Sequence, residues 1–464
     1  MSSTSTVGSR GSPALTARLS RLDPNLALVA AWSLISLGAA RRYGTYTPLA
    51  IALVTAGMVV LSVAVLRLRP AGNRAPGRLS LLLACLVALV STVVSPAERY
   101  ARGPAEWWSH GLLIAAAVAL TLLALWRAGS RWLQPVVLLL AGAAGVAGIR
   151  ATPRPTIDDW HILQGSARAV LRLSNSYGQV WPGSDGHLLP YLPGSAVLLA
   201  PFYLVFSDVR YGLLAALLLA SVAVAGLGRA VAGPRRAAAD HTVAVLSGLV
   251  VVYPWVLYGI EQSWPEALLL GLLAGMVWAV AKDRPVLAAV CFTAALLTKQ
   301  HVLIFVPFAA LWPAFGWRRT AGSVTAAVLI TLCWVIAGPR NFWHGAVSYN
   351  LRLQPRHDSL SLFATAIDHG WTPSFALVPL AMIAALALGL WWVPRTGPGF
   401  VLGSAWLLGV FNLLNKQSFF NEWSLVVGLI VLGLASLALA AAPAAEPEPA
   451  GLAAELPGER EPSG

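Results

Sequence analysis

The sequence predicts an all-α fold: a polytopic transmembrane bundle of about fourteen spans, with amphipathic helices at the membrane interface in one long external loop. Three observations predict it. Apolar residues make up 57% of the 464-residue chain and charged residues only 11%, with a mean hydropathy of +0.70. Apolar runs of membrane length recur along the chain. The connections "RLRPAGNRAPGR", "RAGSR", "GRAVAGPRR", "AKDR", "GWRR" and "VPRTG" are all basic and fall on alternate sides of the span count.

Placing those connections in the cytoplasm satisfies the positive-inside rule and sets both termini inside a multi-pass cell (plasma) membrane protein. Residues 1–24 are rich in Ser, Thr and Arg without a cleavable signal pattern, so they read as a cytoplasmic segment before an uncleaved first anchor. Spans are predicted near 25–40, 47–68, 79–95, 108–126, 132–149, 209–229, 241–258, 265–281, 285–298, 301–316, 319–337, 373–392, 398–414 and 423–441. The segment 190–206, "PYLPGSAVLLAPFYLVF", is short and carries Pro190, Pro193 and Pro201. Counting it as a span would throw "GRAVAGPRR" outside, so it is expected to lie in or dip into the outer interface, within an external loop from 150 to 208. Residues 442–464, rich in Pro and Glu with no periodic apolar face, read as a disordered cytoplasmic tail.

The formal charge of +13 does not indicate nucleic-acid binding. The basic residues are 29 Arg and only three Lys (Lys282, Lys299, Lys416), and most Arg sit in short loops as topology determinants. Cys85, Cys291 and Cys333 all fall in apolar runs, so neither a disulfide framework nor a zinc spacing is present. The bilayer is the expected solvent.

With this topology most acids fall outside, and almost no charge lies at mid-span. The segment "DDWHILQGSARAVLRL" (158–173) repeats Trp160, Leu163, Ala167, Val170 and Leu171 at helical spacing, which predicts an amphipathic surface helix with Asp158 and Asp159 in its first turn. Thr156 and Asp159 match a capping box, which accounts for one acid. Two adjacent acids beside His161 favour a chemical role for at least one. Further along, Trp264-Pro265-Glu266 reads as a helix start, leaving Glu261 and Gln262 to line a polar cavity. Lys299-Gln300-His301 and Lys416-Gln417 stand at two external turns. In a chain that uses Arg almost everywhere, a compact ammonium with a neutral donor beside it suits a phosphate oxygen better than snorkelling. The external loop 338–371 adds Arg352, Arg356 and His357 among hydroxyl and amide groups, a mixture suited to a sugar and its phosphate, and no spacing there specifies a metal.

The acidic pair in a long loop, the surface helix, the "LLPYLPGSAVLLAPF" segment with Tyr191, and the "TKQ" and "NKQSFFNEW" elements together resemble the type-C superfamily of integral-membrane glycosyltransferases, most closely its polyprenyl-phosphate-sugar-dependent, mannosyltransferase-like branch. The resemblance covers about residues 150–441, so it implies a catalytic domain over 131–441 preceded by a four-helix addition over 25–130. It implies transfer of a sugar, with inversion, from a polyprenyl-phosphate donor to a lipid, glycan or protein acceptor at the outer face, in the service of cell-envelope synthesis. Asp158 or Asp159 is then the general base. Lys299, Gln300, Lys416, Gln417, Arg352 and Arg356 attend the donor phosphate, and His161, Tyr191, Glu261, Gln262, His301 and His357 line the acceptor or sugar pocket. No cofactor or metal is implied. The acidic loop follows the fifth span instead of the first, a departure from the family pattern. A lipid-linked glycan transporter or flippase, or a glycan polymerase or ligase, is the rival class; the former usually shows mid-membrane charges and paired halves, which this sequence lacks.

Overall fold

A computed structural model describes residues 23–68, 74–95, 99–126, 130–229, 236–371 and 373–441. The expected N-terminal segment up to residue 22, the tail from 442 and most of the basic connections near 70, 128 and 233 lie outside the described residues.

The chain is helical, with no strand among the described residues. Helix α1 (Pro24–Ala40) is capped by Asp23, whose carboxylate accepts from Asn25 N at 3.0 Å, and α2 (Pro48–Leu66) by Thr47, which accepts from Ala50 N at 3.0 Å. Then come α3 (Arg78–Val94), α4 (Pro104–Leu125) and α5 (Ser130–Ala151). Two shorter helices follow, α6 (Asp158–Leu171) and α7 (Pro193–Phe206), packed on each other. The bundle continues with α8 (Arg210–Gly228), α9 (Arg236–Val251), the stub α10 (Val256–Glu261), α11 (Glu266–Ala281) and α12 (Pro285–Leu296). A 3₁₀ segment, Gln300–Phe305, runs into α13 (Val306–Leu311), and α14 (Gly316–Ala337) leads to short helical turns over 339–352. The chain closes with α15 (Leu362–Asp368), α16 (Leu377–Trp392), α17 (Gly397–Leu414) and α18 (Phe420–Ala440).

Among the described residues, seven helices are long and apolar enough to cross a membrane: α2, α4, most of α5, α8, α14, α17 and α18. Length therefore supports seven of the roughly fourteen expected spans. The expected span at 241–258 stops at Val251, because Trp255 turns left-handed (φ 66°) before α10. That at 301–316 becomes the 3₁₀ segment plus α13, and ends at Leu311. A helix of twelve to sixteen residues rises about 18–24 Å, short of the roughly 30 Å hydrocarbon core. Of these pieces α9 and α11 are enclosed by neighbouring helices, whereas α12 and α16 keep most of their residues at least partly exposed.

Burial separates the rods in a way composition does not. In α18 89% of the span is buried inside the protein, whereas in α14 only 17% is. Helix α18 is packed by α1, α9, α11 and α17, so the last helix is the axis of the bundle and the first leans on it. Gly44, at φ 74°, lets the turn after α1 close onto α18; a Cβ there would sit 2.5 Å from Phe420 Cβ. One hydrophobic core runs from Leu28 to Ala438. The ends of α1, α3, α5, α10, α12 and α17 and the starts of α11 and α18 all bring residues to one cavity.

Candidate functional site

The linker between α5 and α6 is tied down before it reaches the acidic pair. Arg210, fully buried, donates from Nε to Asp208 Oδ1 at 3.0 Å and from Nη2 to Asp208 Oδ2 at 2.6 Å. The same Nη2 donates to the Thr152 carbonyl at 2.7 Å, and Trp160 Nε1 reaches Asp208 Oδ1 at 3.4 Å. A buried charge pair closed by backbone carbonyls satisfies most of the groups that burial would otherwise leave costly, with Arg210 Nη1 the donor left over. It also sets the height at which α6 begins.

Helix α6 starts without the expected capping box: Ile157 is its N-cap, and no side chain caps it. Thr156 therefore does not pair with Asp159, and both acids are free of that role. Asp158 Oδ1 accepts from Asp159 N at 2.9 Å and its Oδ2 meets His187 Nδ1 at 2.5 Å. Asp159 is held on both oxygens: Tyr191 Oη donates to Oδ1 at 2.6 Å and Trp264 Nε1 to Oδ2 at 2.9 Å. Burial and the adjacent Asp158 charge push the Asp159 carboxyl up to about 7, against the opposing pull of Tyr191, Lys299 and Trp264. Burial, then the charge of Asp159, lifts the Tyr191 hydroxyl well above its ordinary range, so it stays a donor. The two neighbours thus differ in their partners: Asp159 is held by two side chains from distant segments, and Asp158, with a quarter of its side chain exposed, by its neighbour's N–H and by His187.

The pair borders a cavity of about 400 Å³. Asp158, Asp159, His187 and Tyr191 line it from α6 and its following loop, and Lys299 and Gln300 from the turn after α12. Tyr349, Asn350, Arg356 and Asp358 come from the long loop, and Gln417, Phe419, Asn421 and Glu422 from the entry to α18. Tyr258, Gln262 and Trp264 form a further wall together with Tyr43, Thr45 and Arg99, which belong to the first helices. A second opening of about 390 Å³ adjoins it, sharing Tyr349 and Leu353 and lined also by His344, Ser348 and Arg352.

The expected phosphate ligands are distributed unevenly. Lys299 lines the cavity, but its ammonium pairs with Glu266 Oε1 and lies 3.6 Å from Glu422 Oε1. Burial alone would lower its pKa; Glu266 and Glu422 more than offset that and raise it. Gln300 Nε2 bridges the carbonyls of Pro190 (2.8 Å) and Ala346 (2.6 Å). Lys416 stands outside the cavity wall, its Nζ capped by the carbonyls of Leu351 (2.9 Å) and Leu353 (3.0 Å) above the Phe375 ring. Gln417 lines the wall and donates to the Gln354 carbonyl at 2.7 Å. Arg356 is doubly bonded to Asp358, at 2.9 and 2.6 Å, and Arg352 is exposed in the second opening with no carboxylate partner among the described residues.

The expected pocket residues divide likewise. Tyr191 and Gln262 are in the wall. Glu261 is buried behind it, accepting from the backbone N–H of Arg99 (2.7 Å), Tyr100 (2.7 Å) and Ala101 (3.0 Å), and from Thr152 Oγ1 (3.2 Å). It is an anchor and not a lining group. His161 packs edge-on against Trp160 under Gly183; His301 is away from the wall; His357 is exposed and pairs with Asp368. None of the three imidazoles reaches the cavity.

His187, Trp264, Tyr43, Arg99, Asn421 and Glu422 were not among the expected site residues. Arg99 stands in the short polar segment "SPAERYARGP" between two apolar runs, which marks it as a connection and nothing more. His187 sits in the turn "GSDGHLLP", where Gly183 and Gly186 take φ of 85° and 80°. The others are joined to the acids only by the fold.

Comparison of the chain with family models, with curated proteins and with solved structures finds no match. The chemistry is therefore argued from the cavity alone. It offers one accessible carboxylate with an imidazole against it, a second carboxylate held in place, a cluster of hydroxyl and amide donors, and guanidinium groups at the margins.

Proposed function

We propose that the protein is a membrane glycosyltransferase that moves a sugar from a polyprenyl-phosphate donor to an acceptor hydroxyl, with inversion, at the extracytoplasmic end of the bundle. The observation that carries this reading is the unequal pair: Asp158 opens into the cavity while Asp159 is fixed by Tyr191 and Trp264. A general base must reach the proton it takes; both acids line the cavity, and Asp158 is the one with an imidazole, His187, against its carboxylate to orient it.

In the step, the acceptor oxygen attacks the anomeric carbon as Asp158 takes its proton. The bond from that carbon to the phosphate oxygen breaks, and its electron pair leaves with polyprenyl phosphate. The growing phosphate charge needs a cation, which Arg352 in the adjoining opening supplies, with Arg356 beside it once its exposed pair with Asp358 exchanges. Lys299 instead offsets part of the negative charge of Glu266 and Glu422, which weakens the repulsion the cavity floor exerts on the anionic donor. Helices α6 and α7, with Leu171, Leu204, Val205 and Phe206 exposed, form the flank along which a prenyl tail lies.

The test is direct. The purified protein is incubated with a polyprenyl-phosphate-linked mannose and a crude lipid acceptor fraction, and the product linkage is read by NMR. Transfer with the anomeric configuration inverted is expected; no transfer from any polyprenyl-phosphate hexose or pentose rejects the reading.

A further inference from the structure

The first helices take part in this cavity, and their contribution is a charge. Residues 41–44 form a tight turn after α1 in which two non-glycine residues, Arg42 (φ 44°) and Tyr43 (φ 61°), are held left-handed. Such conformations are costly and persist only where surrounding structure imposes them. The turn presents the Tyr43 ring to the cavity, and the Arg99 guanidinium lies 5.3 Å over it and 5.5 Å from the Tyr100 ring. Arg99 in turn has its backbone fixed by the buried Glu261 carboxylate, which accepts from three consecutive N–H groups.

Charge matching singles Arg99 out. Of the three cations lining the cavity, Lys299 is matched by Glu266 and Glu422, and Arg356 by Asp358. Arg99 has no carboxylate partner among the described residues; its neighbours are tyrosine rings. A chain of contacts then runs from Arg99 through Tyr43 and Tyr258 to Trp264 and on to Asp159, and from Asp158 through His187 to Tyr349. Tyr349 is shared with the opening that holds Arg352. The acidic pair therefore lies between two guanidinium groups, each without an acid of its own.

We propose that Arg99 is a second phosphate-binding residue, distinct from the donor-phosphate site at Arg352, and that it recognises a phosphate carried by the acceptor. The acceptor is then an anionic phospholipid or a glycolipid built on one. This rests on the reading of the cavity as a transfer site, in which two substrates meet at Asp158 from opposite sides. A planar guanidinium backed by aromatic rings suits a phosphate oxygen pair, and the Tyr258 side chain, hydrogen-bonded to it, helps orient it in place of a carboxylate.

The test uses two soluble probes on the purified full-length protein in detergent: farnesyl phosphate, for the donor phosphate, and dihexanoylphosphatidylglycerol, for an acceptor phosphate. Arg99→Gln is expected to weaken phosphatidylglycerol binding by about tenfold or more and to leave farnesyl phosphate within about twofold, with Arg352→Gln doing the reverse. Arg99→Lys, which keeps the charge and loses the fork, falls between. Thermal melting of each variant checks that the fold is intact, as expected for exposed side chains. The proposal is overturned if wild type shows no saturable phosphatidylglycerol binding, if Arg99→Gln changes neither probe, or if it weakens farnesyl phosphate instead. Should wild type transfer no sugar while Arg99→Gln still loses phosphatidylglycerol, the reaction is wrong and the anion site stands.

Discussion

Lys299-Gln300 and Lys416-Gln417 are the same dipeptide at the same end of the bundle, yet they serve different ends. Lys299 is almost enclosed, 12% exposed, and answers two acids, one of them 3% exposed. Lys416 is a loop fastener: its three donors find backbone carbonyls and an aromatic face. The glutamines diverge in the same way, Gln300 joining the start of the α7 segment to the long loop and Gln417 holding only the tip of that loop. The lesson is that an ammonium takes its role from the charges the fold brings to it. In one case they are carboxylates packed between helices, in the other dipoles at a rim.

Substitutions can break that contrast. The largest effect is expected from Lys299→Met, which strands Glu266 and Glu422 in a buried site; the loss is roughly 3–5 kcal/mol of stability in chemical denaturation. Adding Glu266→Gln to that variant sharpens the point. The double substitution is expected to recover part of the loss, and strict additivity in the cycle would mean that the pair is not coupled. Next, Gln300→Leu removes the donor to two carbonyls and is expected to cost about 1–3 kcal/mol. Lys416→Met is expected to cost less than about 1 kcal/mol, because water can replace the ammonium at exposed carbonyls. A Lys416→Met loss equal to that of Lys299→Met would erase the distinction.

A separate effect concerns pH. The Asp159 carboxyl titrates near 7 in the fold, above the ordinary carboxylate value of 3.8. Between those values the folded protein binds more protons than the unfolded chain, so this group's contribution is full below the lower value and is lost as pH rises through about 7. Melting temperatures taken from pH 4 to 8 are expected to decline over that window, and Asp159→Asn to flatten the decline. An unchanged slope would contradict the buried setting of Asp159.

Much of this was legible from residues alone. The helical class and the helix at 158–171 follow from hydropathy and helical spacing, and Asp158, Asp159 and Lys299, singled out as an acidic pair and a scarce lysine, do meet in one cavity. Span count did not, because α9 and α11 are shortened pieces enclosed by other helices, and hydropathy does not distinguish protein from lipid as a neighbour. For the same reason the near-total burial of α18 is invisible in "FNEWSLVVGLIVLGLASLALA". Glu261 was misplaced into the pocket since its real partners, the N–H groups of 99–101, are 160 or more positions away. His161 shares the acidic turn in sequence, but the helix rotates it onto Trp160, and the imidazole that meets Asp158 is His187.

The most direct trial is the rate of sugar transfer by purified Asp158→Asn beside Asp159→Asn, each with its fold verified by melting. A fall of about a hundredfold or more for Asp158→Asn, exceeding that for Asp159→Asn, is expected of a proton acceptor that opens into the cavity. Transfer by Asp158→Asn at the wild-type rate would contradict the account.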